Sequence, residues 1–158
     1  MVEYTGDISK ELALERIIGY PFKNPTLRSR AITRKAWVND QSPGTNIIYP
    51  GSATLGDAVI GLAVSYHFYC LENTPGQISK EKESRVSRKN HTKIATNAGL
   101  KNCLILGGCE GNTKEWDEGD ALGECFEEII GAVYLDDINR QGNGVEVCVQ
   151  VLMNVHLI

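Results

Sequence analysis

A chain of 158 residues, 42% hydrophobic and 23% charged, is too apolar for a disordered segment and has room for one packed domain rather than two. Its formal net charge of −4 excludes a protein that coats nucleic acid through bulk positive charge, because phosphate contacts need Lys and Arg. The first ten residues, with Glu3 and Asp7, lack the basic start and apolar run of a secretory leader, so the chain is expected to stay cytoplasmic.

Ser9 to Gly19 carries Leu12, Leu14, Ile17 and Ile18 at near-helical spacing, which predicts a short amphipathic helix with Ser9 as N-cap and Gly19 as stop. Asn24-Pro25, a cap followed by Pro at the first helical position, opens a second helix through Leu27, Ala31 and Ile32 towards Trp37. Turn formers from Asn39 to Gly51, including Ser42-Pro43-Gly44, break the pattern. Ser52 is the predicted cap of a long helix ending at Cys70. The stretch Ala53 to Leu71 has the length of a membrane span, but Asp57 and His67 inside it favour a core helix, apolar nearly all round and mostly buried.

Asn73-Thr74-Pro75-Gly76 closes that helix, Ser79 opens a charged one to about Asn90, and a shorter one runs towards Ala98, where Asn97 and Gly99 offer a stop. Gly107-Gly108 and Gly111-Asn112 mark a loop, Asp120 to Asp136 a strong helix, and Gln141 to Gly144 a turn. Val145 to Leu157 is read as a final helix, although its β-branched valines would also suit a strand. Neither a repeat nor an alternation of strand and helix is present, so the fold class is all-α. Five cysteines, Cys70, Cys103, Cys109, Cys125 and Cys148, form no C-x-x-C pair and are expected to be reduced and mostly buried.

Two features carry chemistry. Asp57 is the only formal charge on its apolar helix and needs a cation, a metal or several donors; the free amides of a helix start would also serve. On the helix from Asp120, Leu122, Phe126, Ile129 and Val133 form an apolar stripe, with Glu124 and Glu127 together on the opposite face. Gly131 shares that face, and a mid-helix glycine costs on the order of 1 kcal/mol against alanine, so a close neighbour is expected there. If the neighbour is the Asp57 helix, three carboxylates converge, and such hard oxygen ligands select Mg²⁺ or Mn²⁺. That centre suits phosphodiester hydrolysis. Charge is segregated along the chain: Lys80 to Lys93 and Arg28 to Lys35 are basic, while Glu110, Glu115, Asp117, Glu118, Asp120, Glu124, Glu127 and Glu128 make an acidic block. These runs read either as solvated helix faces or as a steering field with a metal-collecting side.

The motif Leu55-Gly56-Asp57-Ala58-Val59 and the run Gly123-Glu124-Cys125-Phe126-Glu127-Glu128-Ile129-Ile130-Gly131-Ala132-Val133-Tyr134-Leu135-Asp136 resemble the two catalytic helices of the ribonuclease III endonuclease domain. Ala31-Ile32-Thr33-Arg34-Lys35 before Trp37, Gly76-Gln77-Ile78-Ser79, and Ile94-Ala95 followed by Gly99-Leu100 match in order and spacing. The resemblance implies a helical bundle of that type over residues 1–158, with no room for a double-stranded RNA-binding domain. In this it is similar to the mini-ribonuclease III branch.

Carried over by position, Asp57, Glu124 and Glu127 are the implied catalytic and metal-binding residues, with Mg²⁺ or Mn²⁺ as cofactor. Glu124 stands where the family usually has Asp. Ala53 and Pro50 replace two Glu of the signature helix, Arg34 replaces a His, and Pro75 a Glu. The mini branch also has Ala at the position of Ala53, so that loss alone does not imply inactivity. The implied function is a homodimeric, metal-dependent endoribonuclease cutting double-stranded or structured RNA, with Arg34, Lys35, Arg85, Arg88 and Lys89 on phosphates. Neither DNA nor a membrane is expected as a partner. The alternative is a weak or inactive ribonuclease III fold kept as an RNA-binding or ribosome-associated scaffold.

Overall fold

The computed structural model describes residues 6–43, 51–108, 110 and 119–158, and the named elements among them are all helices. Helix α1 (Ile8–Ile18) is capped by the Asp7 side chain, which accepts the Lys10 N–H at 3.1 Å, so the cap lies two residues before Ser9. Glu11 on its inner face is buried, paired with Arg28 at 2.7 Å and with the Ser29 hydroxyl, and it ties α1 to α2 (Pro25–Ile32). Asn24 caps α2 as expected, accepting the Thr26 and Leu27 N–H groups.

The second helix stops earlier than its sequence predicts. The Ile105 N–H donates to the Ile32 carbonyl at 2.8 Å, the Arg34 N–H donates to the Ile105 carbonyl at 3.0 Å, and Thr33 becomes extended. This distant pairing competes with helix continuation, and a separate α3 (Lys35–Gln41) starts after it, running into the stretch read as a loop. Residues 44–50 of that loop, Pro50 among them, lie outside the described residues.

Ser52 is the first residue of α4 (Ser52–Cys70) rather than its cap, which is Gly51. The helix is not buried all round. Gly56, Val59, Ile60, Ala63 and Val64 face inward, whereas Asp57, Ala58, Leu62, Tyr66 and Tyr69 are exposed. The charged segment is two helices. Thr74 and Gln77 form a reciprocal capping box that starts α5 (Pro75–Arg85), placing Ser79 inside it, and Ser87 caps α6 (Arg88–Asn97) by accepting the Asn90 N–H.

A 3₁₀ turn (Leu100–Cys103) leads on, Gly107 and Gly108 lie outside helices, and Gly111-Asn112 falls outside the described residues. Helix α7 (Ala121–Ile138) packs centrally against α4, α6, α2 and α8 (Gly144–Asn154). The final segment is helical because Cys148, Val151 and Leu152 fall on one buried face at helical spacing, and this packing overrides valine's strand preference. Phe126, Ile129, Ile130 and Val133 of α7 form the centre of the core with Leu14, Ile18, Ile60 and Leu152.

Cys103, Cys125 and Cys148 are buried free thiols, Cys70 is exposed, and Cys109 lies outside the described residues. Burial pushes the Cys125 and Cys148 thiols up to about 12, which keeps them protonated and unreactive near neutrality. No helix among the described residues is long and apolar enough to cross a membrane.

Two glycines set the α4–α7 crossing. A Cβ on Gly56 would overlap the Glu127 carbonyl oxygen, and one on Gly131 would overlap the Ser52 carbonyl oxygen and sit 3.3 Å from the Gly56 nitrogen. The face that Gly131 marks does pack, and its neighbour is the Asp57 helix. Both obstacles are backbone, so a methyl group there must push the helices apart. Gly56→Ala and Gly131→Ala are each expected to lower unfolding free energy by about 2–3 kcal/mol in urea titrations. Gly76→Ala, with nothing within 4 Å of the added carbon, should be neutral or slightly stabilising.

Candidate metal centre

The close crossing places Asp57 beside Glu127. One ligand atom each from Asp57, His91 and Glu127 lies within 4.8 Å of the others, a spacing a single cation can span. Asp57 is exposed, Glu127 and His91 are buried, so the cluster has one wet side and two dry ones. Helix α6 supplies the imidazole because it too approaches α7 closely: a Cβ on Gly123 would sit 2.7 Å from the Thr92 hydroxyl and 2.8 Å from the Arg88 carbonyl.

Glu127 is fully engaged by protein groups. Arg88 donates through Nε to Oε1 at 3.1 Å and through Nη2 to Oε2 at 2.8 Å, and His91 Nδ1 lies 3.0 Å from Oε1. The forked guanidinium contact matches the two carboxylate oxygens, the strongest geometry available to such a pair. The other ring nitrogen, Nε2, is buried and has no hydrogen-bond partner among the described residues. A buried imidazole whose Nδ1 faces Glu127, with the Asp57 carboxylate close by, is a mixed nitrogen and oxygen donor set that suits a divalent cation.

The third expected ligand lies elsewhere. Glu124, 43% exposed, faces Arg34 Nη2 at 3.6 Å, and the structure does not bring it into the Asp57 cluster. Arg34 also meets Glu110 at 3.4 Å and Glu128 at 3.9 Å, so it sits among three carboxylates. Burial pushes the Glu128 carboxyl up to about 7; Arg34 opposes this, and Glu124 adds to it. Of the basic residues assigned to phosphates, Arg85 is paired with Glu81 and lies 5.0 Å over the Phe68 ring, while Lys35 and Lys89 are exposed. Glu115, Asp117 and Glu118 of the acidic block lie outside the described residues.

His91 was not singled out by the sequence, and Glu128 stood there only as a member of the acidic block and the second motif. The signal for His91 was present: with Ile94 and Ala95 it completes the inward face of an otherwise polar helix, a spacing of three and four residues. Glu128 had no such signal, since its burial follows from Arg34 arriving from α2's end.

Residues 24–154 match the family described as Ribonuclease-III-like. The chain belongs to that family. It is 34% identical over 128 residues to ribonuclease 3 of Bdellovibrio bacteriovorus, covering 78% of this chain and 53% of the relative. With ribonuclease 3 of Acinetobacter baumannii it shares 32% over 144 residues, 88% of this chain and 59% of the relative. The chain thus spans little more than half the length of these ribonuclease 3 proteins. The nuclease domain of ribonuclease III from Campylobacter jejuni, described with a flexible region involved in dimer formation, superposes with a TM-score of 0.70 at 25% identity, covering 90% and 93% of the two chains.

Within this ribonuclease-III-like fold, Ala53 sits where the resemblance implies a Glu. It lines a hollow with Arg34, Lys35, Thr54, Glu124 and Glu128. The titration of Glu128 there has a definite sign. Between its usual 4.5 and about 7, the folded chain keeps a proton that the unfolded chain has lost, so stability falls as pH rises through that window. Thermal unfolding in chelator should show the wild type losing on the order of 2–3 kcal/mol from pH 4.5 to 7.5 through this group. Glu128→Gln should flatten that part of the profile and be the more stable protein at pH 7.5.

Proposed function

We propose that this chain is a divalent-metal-dependent endoribonuclease of the ribonuclease III type, hydrolysing phosphodiester bonds in double-stranded or structured RNA. The observation that carries the reading is the convergence of Asp57 and Glu127, from two separate helices, with a buried imidazole beside them. Asp57, Glu127 and His91 are the residues that would hold Mg²⁺ or Mn²⁺. Such an ion supplies Lewis acidity at phosphorus and lowers the pKa of water. Asp57 opens the cluster to solvent, where the RNA backbone arrives, while Phe126, its ring 5.7 Å from that of His91, and the α7 core keep water from the other side. Glu124 acts from the adjoining hollow, where its charge adds to the acidic field.

Lys35 and Lys89, both exposed, are the basic side chains available for phosphates, and Arg34, Arg85 and Arg88 contribute only by leaving carboxylates they now hold. The exposed apolar stripe of Leu62, Tyr66 and Tyr69 on α4 supports a homodimer, since such a stripe on an otherwise packed helix calls for a partner surface. Two-fold symmetry suits a duplex with two antiparallel backbones. A cytoplasmic setting agrees with the free thiols.

The arginine pairing of both Glu124 and Glu127 favours a second reading, an RNA-binding scaffold with little or no cleavage. The two readings separate in one assay. Purified protein with Mn²⁺ or Mg²⁺ should cut a structured RNA duplex, and Asp57→Asn and Glu127→Gln should each lose on the order of 100-fold or more in rate. Intact RNA with wild type, together with RNA retention in a gel shift, would establish the scaffold instead.

A further inference from the structure

The hydrogen bonds around Glu127 place a permanent cation where a divalent ion would have to bind. Both carboxylate oxygens accept from Arg88, at 3.1 and 2.8 Å, and one of them also meets His91. Glu127 is 1% exposed, so neither oxygen is reachable from water except past these partners. Arg88, by contrast, is 44% exposed and stands at the first residue of α6. A guanidinium and a divalent ion on the same buried carboxylate repel each other strongly, because little solvent intervenes.

We propose that Arg88 is a built-in competitor of the divalent cation: it clamps Glu127 in the cation-free protein and must be drawn off before Asp57, His91 and Glu127 bind an ion together. This rests on the metal-centre reading given above. The clamp has a consequence for RNA. A phosphate near α6 offers the guanidinium another anion, so phosphate binding releases Glu127 to the cation, and cation binding releases Arg88 to the phosphate. The two ligands then bind cooperatively, each raising affinity for the other by the same factor. An arginine rather than a lysine fits this role, since only the planar fork covers both oxygens at once.

The test is Mn²⁺ binding at fixed pH and without RNA, followed by calorimetry and by the Mn²⁺ electron paramagnetic resonance signal. Wild type, Arg88→Ala, Arg88→Lys and Asp57→Asn are compared as the full chain, with circular dichroism confirming the fold of each. Arg88→Ala should bind Mn²⁺ about tenfold more tightly than wild type. Arg88→Lys, which keeps the charge but loses the fork, should fall between the two and serves alone if the alanine variant is unstable. A Mn²⁺ site lost in Asp57→Asn but unchanged or weakened in both Arg88 variants overturns the competitor and leaves the metal centre standing. Absence of a Mn²⁺ site in every protein overturns both.

Discussion

The approach of α4 and α7, backbone against backbone at Gly56 and Gly131, is the constraint on which the site depends. Glu127 lies on α7 at the point where its own carbonyl presses on Gly56, one residue before Asp57. The carboxylates are therefore neighbours because the helices carrying them have no side chains between them at the crossing. Any added volume there would separate the acids as well as loosen the core, which couples the stability of the fold to the geometry of the centre. Helix α6 closes on α7 by the same device at Gly123 and brings His91 and Arg88 with it.

Burying a glutamate at the heart of such a crossing creates an electrostatic problem that the chain answers twice in the same way. Glu127 is held by Arg88 and His91, while Glu110, Glu124 and Glu128 surround Arg34. Uncompensated burial of Glu127 would cost several kcal/mol. Arg34 does not fully relieve its group, since Glu128 is left with a carboxyl that titrates near neutrality. The basic and acidic stretches that look segregated along the chain are thus interleaved in space, and Arg34, Arg85 and Arg88, which the resemblance sets against phosphates, hold carboxylates in this structure.

How much of this was legible depended on whether the deciding interaction was local. The cap at Asn24, the stop at Gly19 and the α7 helix all follow from residues a few positions apart, whereas Ser87, inside a helix read as running to Asn90, is the cap of a new one. Gly131 gave away the close neighbour on its face, and the paired motifs around Asp57 and Glu127 gave the fold. Long-range contacts decided the rest. Thr33 leaves the helix because Ile105 takes its neighbours' backbone groups, α4 keeps an exposed apolar side that periodicity cannot assign, and Glu124 pairs with Arg34, which reaches it from a distant part of the sequence. His91 was missed for a different reason: a histidine among polar residues looks exposed until the inward face of its helix is drawn.

The departures from the family pattern form one consistent change rather than scattered losses. Ala53 leaves α4 without the negative charge that the resemblance implies there, and Arg34, where it implies a His, adds a permanent positive charge against the carboxylates that remain. Fewer acids and more internal cations both lower the pull of the site on a divalent ion, and both lower the cost of keeping Glu127 and Glu128 buried without one. A centre so arranged is stable in the absence of metal, unlike a cluster of unpaired carboxylates whose mutual repulsion only an ion relieves. The affinity of such a centre for an ion then depends on what else competes for the arginines.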